Sequence, residues 1–127
     1  MNLEPLGDLE TSVMEAVWTL APTTAREVHG HFGDHFGDSR AYTTIMTTLD
    51  RLHNKGLLAR EKDGLAWRYQ PTLGKAAYER AVTDHEVGRL LDVHGEVALS
   101  AFVDAAARTT SLDRLADLIA ARRAERR

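Results

Sequence analysis

The stretch Ser39-Arg-Ala-Tyr-Thr-Thr-Ile-Met-Thr-Thr-Leu-Asp-Arg-Leu-His-Asn-Lys55 decides how the rest of the chain is read. On a helical wheel of about 100° per residue, Ile45, Leu49 and Leu52 fall on one side, at i, i+4 and i+7. Thr43, Thr47, Asn54 and Arg51 fall on the opposite side, with Thr44 just beyond. One face is aliphatic; the other carries hydroxyls, an amide and a guanidinium. Four threonines within six positions (Thr43, Thr44, Thr47, Thr48) lower helix propensity, because β-branched chains lose rotamer freedom in a helix. A compensating use is expected. A threonine hydroxyl bonds a phosphate or a base edge, its methyl packs on the thymine methyl, and arginine addresses guanine bidentately. Ser39 is expected to cap this helix, Lys55 to sit at its negative end, and Gly56 to stop it.

The blander reading of such a face is a solvated surface, and the flanking elements weigh against it. Upstream, Asp8 to Leu20 reads as a helix capped by Asp8, with Val13, Val17 and Leu20 in one stripe and Pro22 behind its end. Thr24-Ala25-Arg26-Glu27 is a capping box for a second helix, expected to be short because Gly30 and Gly33 weaken it. The near repeat His31-Phe-Gly-Asp34 and His35-Phe-Gly-Asp38 follows, its second copy read as loop. Downstream, residues 57–62 and 65–70 change to strand character around Asp63-Gly64, a hairpin signal, and Pro71 ends the second strand. Trp67 and Tyr69 share a face and are expected to pack on the core. Three short helices followed by a ribbon make a winged helix-turn-helix. The fold class expected is mainly α with a small β-hairpin.

Beyond Thr72 the pattern is helical throughout: Leu73 to His94, ended by Gly95; Glu96 to Ala107; then Leu112 to Glu125 behind a Ser111 cap. These helices carry wide apolar stripes in a layer too thin to have much core of its own, and such stripes normally find a partner. A second copy of the chain is the simplest partner. Residues 1–72 are thus expected to form a DNA-binding domain. Residues 73–127 are expected to form a helical dimerisation domain, meeting its copy through Leu90, Leu91, Val97, Phe102, Leu112, Leu115, Leu118 and Ile119.

Charge agrees with this division. The 127 residues carry a net −3, but residues 1–38 hold a net of −6, residues 39–72 a net of +3, and the remainder balances. The middle third is a basic island, able to meet phosphate because screening limits the reach of distant charge to about 8–10 Å. Asp50 is the discordant member of the island; it either pairs with a neighbouring arginine or accepts from a cytosine amino group. In the hairpin, Arg60, Lys62 and Arg68 are candidates for backbone phosphates, or for charges that protect a solvated edge.

Other classes are excluded or weak. Zero cysteines remove a disulfide scaffold, a thiol nucleophile and any thiolate metal site. The N-terminus lacks the basic flank and apolar core of a signal peptide, and no stretch reaches the ~20 apolar residues of a membrane helix. A soluble intracellular protein without membrane association is expected. No phosphate loop, nucleophile elbow or placed carboxylate pair points to an enzyme, and no cofactor is expected. The rival reading is a metal- or haem-responsive regulator using His29, His31 and His35; the glycines between them and the lack of a helical i, i+4 pair count against it.

At these residues the chain resembles the penicillinase-repressor family (the BlaI/MecI type). The matching segments are Leu6-Gly-Asp-Leu-Glu10, Val13-Met-Glu-Ala-Val-Trp18, Thr24-Ala-Arg-Glu-Val-His29, Ala41-Tyr-Thr-Thr-Ile45, Arg51-Leu52, Lys55-Gly-Leu-Leu58, Asp63-Gly64 and Tyr69-Gln-Pro71. The resemblance implies a homodimeric winged-helix repressor of a partly palindromic operator in double-stranded DNA. It places Thr43, Thr44, Thr47 and Arg51 at the base-reading or groove positions, with Arg40 and Lys55 flanking them. The chain departs from the family at Arg40, where relatives often have an aromatic residue, and at a longer histidine-bearing loop. It also carries Ala101-Phe102 where the penicillinase repressors have the asparagine–phenylalanine pair at which they are cleaved.

Overall fold

The computed structural model describes residues 1–36 and 41–126, with the side chains of residues 34–36 outside that description. The chain divides into two compact units, Met1–His85 and Glu86–Arg127.

In the first unit, α1 spans Asp8–Leu20. Its N-cap is Gly7 rather than the expected Asp8. The Glu10 carboxylate reaches back to accept the Gly7 amide at 3.2 Å, so Asp8 becomes a first-turn acid, favourable at the positive helix end. A short strand, β1 (Thr23–Thr24), leads into α2 (Ala25–Phe36). The Thr24 hydroxyl caps α2 by accepting the Glu27 amide at 3.2 Å. The Glu27 carboxylate turns to the Thr23 hydroxyl, at 3.0 Å.

Helix α2 is longer than expected: it runs through Gly30 and Gly33 and takes in His35-Phe36 of the second repeat copy, read as loop. Each glycine costs about 1 kcal/mol against alanine. Burial of Val28 and Phe32, one turn apart, returns about 1.5–3 kcal/mol each and outweighs that cost. The rest of the expected loop, residues 37–38, lies outside the described residues.

Helix α3 spans Tyr42–Asn54. Ala41, in extended backbone, is its N-cap, and no side chain caps it; the Ala41 carbonyl accepts from the Thr44 amide at 3.0 Å. The helix therefore starts beyond Ser39, the expected cap, which lies outside the described residues. Lys55 follows as C-cap, and Gly56 leaves the helix at φ +81°, a left-handed conformation that favours glycine.

Strands β2 (Leu58–Asp63) and β3 (Ala66–Pro71) form the ribbon. Asp63 pairs with Ala66, so the turn is Gly64-Leu65, one residue beyond the expected Asp63-Gly64, with Gly64 at φ +65°. β1 pairs antiparallel with β3 through Thr23–Tyr69 and Thr24–Arg68, making a sheet of order β1-β3-β2. Two residues are too few to show a strand period, and the sequence reading missed β1.

Val13, Met14 and Val17 of α1 close over Val28, Phe32, Ile45, Leu49, Leu52, Leu57, Leu58 and Tyr69. This core fixes the roll of α3. Helix α4 spans Lys75–His94 and starts two residues later than expected, because the Leu73 carbonyl accepts the Trp18 indole N–H at 3.0 Å. Trp18 and Tyr78 lie with ring centres 5.4 Å apart, and burial raises the Tyr78 phenol pKa.

The second unit holds α5 (Glu96–Thr109) and α6 (Leu112–Glu125). The Ser111 hydroxyl accepts the Asp113 amide at 3.0 Å, as the expected cap does. Leu90, Leu91, Val97, Phe102, Leu112, Leu118 and Ile119 are exposed, and Leu115 is half-buried. Among the described residues of this unit only Ala106 is buried.

Candidate nucleic-acid interface

Clamping Ile45, Leu49 and Leu52 to zero exposure turns the other side of α3 outward. Thr43, Thr44, Thr47, Asp50, Arg51 and Asn54 are all exposed. Thr48, the remaining member of the threonine cluster, is buried instead and donates its hydroxyl to the Thr44 carbonyl at 2.8 Å. Thr47 makes the same back-bond to Thr43 at 2.9 Å, which orients its methyl group while leaving its oxygen able to accept. An outward face of hydroxyls, an amide and a guanidinium is the equipment for phosphate and base-edge contacts in a major groove.

The ribbon divides its basic residues between two faces. Side chains alternate along a strand, and Lys62 opposes Trp67 while Arg60 opposes Tyr69. Arg60 and Lys62 therefore stand on the face of Trp67 and Tyr69. Tyr69 is in the core, as expected, and Trp67 packs against its border. The Arg60 guanidinium lies 4.3 Å from the Trp67 ring centre and the Lys62 ammonium 4.4 Å. Such stacking is worth roughly 0.5–1 kcal/mol at an exposed site and holds both cations over the Trp67 ring. Arg68 stands on the other face, 2.7 Å from Asp63 and 3.7 Å from Glu27 of α2.

Asp50 pairs with an arginine, one of the two alternatives open in the sequence. Arg60 Nη1 donates to Asp50 Oδ1 at 2.8 Å, and this bond is the main cause of a raised Arg60 pKa. Asn54 Nδ2 also reaches Asp50, at 3.5 Å. Lys55 turns from the α3 face to α1, its ammonium 2.6 Å from Glu10 Oε2. Arg40 lies outside the described residues.

Between α3, the start of α2 and the ribbon runs a groove of about 730 Å³, bordered by Arg26, Tyr42, Met46, Thr47, Arg60 and Trp67. Arg26 lies 5.6 Å from the Tyr42 ring centre and His29 meets the same ring edge-on at 5.8 Å. The sequence reading passed over Arg26, Tyr42 and Met46. The wheel positions of Tyr42 and Met46 toward the flank of α3 were visible, but which flank the ribbon occupies was not, nor that Arg26 of α2 borders the same groove. The His35 side chain lies outside the described residues; among those described, no three histidine, cysteine or acidic side chains gather to hold a metal. Among them, too, no helix is long and apolar enough to cross a membrane.

Three helices, a small antiparallel sheet and an outward polar third helix beside a ribbon define a winged helix-turn-helix domain. The chain belongs to the penicillinase repressor family, whose model matches residues 6–121. It is 41% identical over 75 residues to the transcriptional regulator BlaI of two Mycobacterium tuberculosis strains, a match covering 58% of this chain and 53% of theirs. The chain thus spans about half the length of the curated relatives it matches. A solution structure of the DNA-binding domain of the repressor BlaI superposes with a TM-score of 0.52 at 27% identity, over 60% of this chain and 92% of that one. The complex structure of hsRosR-S1 gives a TM-score of 0.54 over 84% of this chain and 98% of its own, and at 19% identity it bears on the fold alone.

Proposed function

We propose that this protein is a sequence-specific DNA-binding transcriptional regulator, a homodimeric repressor that holds a palindromic operator through α3 and the ribbon. The carrying observation is the exposure of Thr43, Thr44, Thr47 and Arg51 above a fully buried Ile45, Leu49 and Leu52. Thr43, Thr44, Thr47 and Arg51 contact bases or the groove; Arg60, Lys62 and Arg68 meet phosphates. Arg40 and Lys55 flank the reading helix. Residues 1–72 form the reading domain and residues 73–127 the dimerisation domain.

Family membership and the likeness to the DNA-binding domain of BlaI support the DNA reading. The dimer is supported by exposed Val97 and Phe102, at 71% and 55%, in a unit with almost no buried core. Selection of duplexes from a random pool, followed by gel shift, tests the reading. A dimer enriches two inverted half-sites separated by about one turn of duplex, or a multiple. Enrichment of nothing, or of one unpaired half-site, overturns it in whole or in its dimeric part.

A further inference from the structure

We propose that Asp50 is a positioning residue that ties the ribbon to the reading helix and restrains binding to non-cognate DNA. The inference rests on the reading of the α3 face as a DNA-binding surface, and it assigns a role to the carboxylate that looks misplaced there. Asp50 stands exposed on α3, at the edge of a face expected to meet phosphate. Three observations set its role. Its Oδ1 accepts from Arg60 Nη1 at 2.8 Å, which joins α3 to β2. The same guanidinium lies against Trp67, so two contacts from two elements fix its direction. Finally, Arg60 keeps only 19% of its side-chain surface exposed, against 54% for Asp50.

An arginine held in this way is not a loose charge that any phosphate attracts. It enters a complex only where the backbone comes to it, in the register that α3 has already chosen. On non-cognate DNA the pair persists, and Arg60 stays neutralised by Asp50 rather than free to meet a phosphate. The pair itself contributes little to stability, because solvent screens an ion pair whose carboxylate is exposed. Its consequence lies in selectivity, since a cation withheld from wrong partners widens the difference between their affinity and that of the right one.

The test is a double-mutant cycle on the full chain, with Asp50→Asn, Arg60→Ala and the pair combined. Binding is measured across a salt series to a random-sequence duplex and to the duplex the wild-type chain enriches. Asp50→Asn is expected to tighten random-sequence binding roughly three- to tenfold and to steepen its salt slope by about 0.9, the increment of one freed cation. Its preference for the enriched duplex narrows accordingly. In the Arg60→Ala background the same substitution gives neither effect, and Asp50→Glu restores wild-type behaviour. Unchanged thermal unfolding of Asp50→Asn separates these effects from damage to the fold. An equal gain with and without Arg60 makes Asp50 a mere repelling charge and overturns the proposal. So does a change confined to one base pair at constant slope, which would make Asp50 a base reader. A wild-type chain that binds neither duplex overturns the DNA reading together with the inference.

Discussion

The Lys55 ammonium lies 2.6 Å from Glu10 Oε2, joining the C-cap of α3 to the first turn of α1. The side chains are 25% and 13% exposed, so the pair is partly shielded from solvent. Lys55→Ala should therefore lower unfolding stability by about 1 kcal/mol while leaving the salt slope of DNA binding unchanged. A slope reduced by about one would instead make Lys55 a phosphate contact. The same pair has a pH signature. The hydrogen bond from Lys55 holds the Glu10 carboxyl below its ordinary value of 4.5, with the Gly7 amide and the charges of Lys55 and Arg51 adding to it against a smaller effect of burial. A depressed carboxylate contributes stability that is complete above the ordinary value and is lost as pH falls through the depressed one. Stability curves of wild type and Glu10→Gln should converge on acidification below about 4.5, and parallel curves would count against the pair.

Arg51 separates base reading from phosphate binding. It is exposed on the outward side of α3, beside Thr47 and Asn54. Arg51→Ala should cost about 1–3 kcal/mol of binding to the preferred duplex and much less to random DNA, if the guanidinium addresses guanine. Titration of both duplexes decides it; equal loss on the two makes Arg51 a phosphate contact.

Arg68 tests the ribbon. It sits between Asp63 and Glu27, and its removal leaves both carboxylates without that cation near the proposed backbone path. Arg68→Ala should weaken all sequences alike and flatten the salt dependence by about one unit of slope. An unchanged slope removes this side chain from the interface.

Phe102 tests the assembly. In the second unit a groove of about 430 Å³ is bordered by Leu90, His94, Val97, Ala98, Ala101 and Phe102, and its walls are mostly apolar. Burying a phenyl ring returns about 1.5–3 kcal/mol, whereas a buried unpaired charge costs several. Phe102→Asp should shift sedimentation from dimer to monomer and weaken operator binding without changing the half-site preferred. A dimer that persists places the interface elsewhere.

The parts that rest on local period and local chemistry are legible along the chain alone. The i, i+4, i+7 stripe of Ile45, Leu49 and Leu52 named both the buried side of α3 and the outward one, because a helix has one geometry. The ribbon was legible for the same reason, from its turn glycine and alternating strands, as was the Ser111 cap. Tertiary structure decided what depends on atoms distant in the chain. Val28 and Phe32 kept α2 helical through two glycines, since burial in the shared core outweighed local propensity. β1 exists because β3 lends it partners. Arg60 meets Asp50, and Lys55 meets Glu10 rather than the α3 face, because the packing of three helices and a sheet fixes which charges lie within reach. Charge pairing acts over a few ångströms of space, and no one-dimensional pattern encodes that distance.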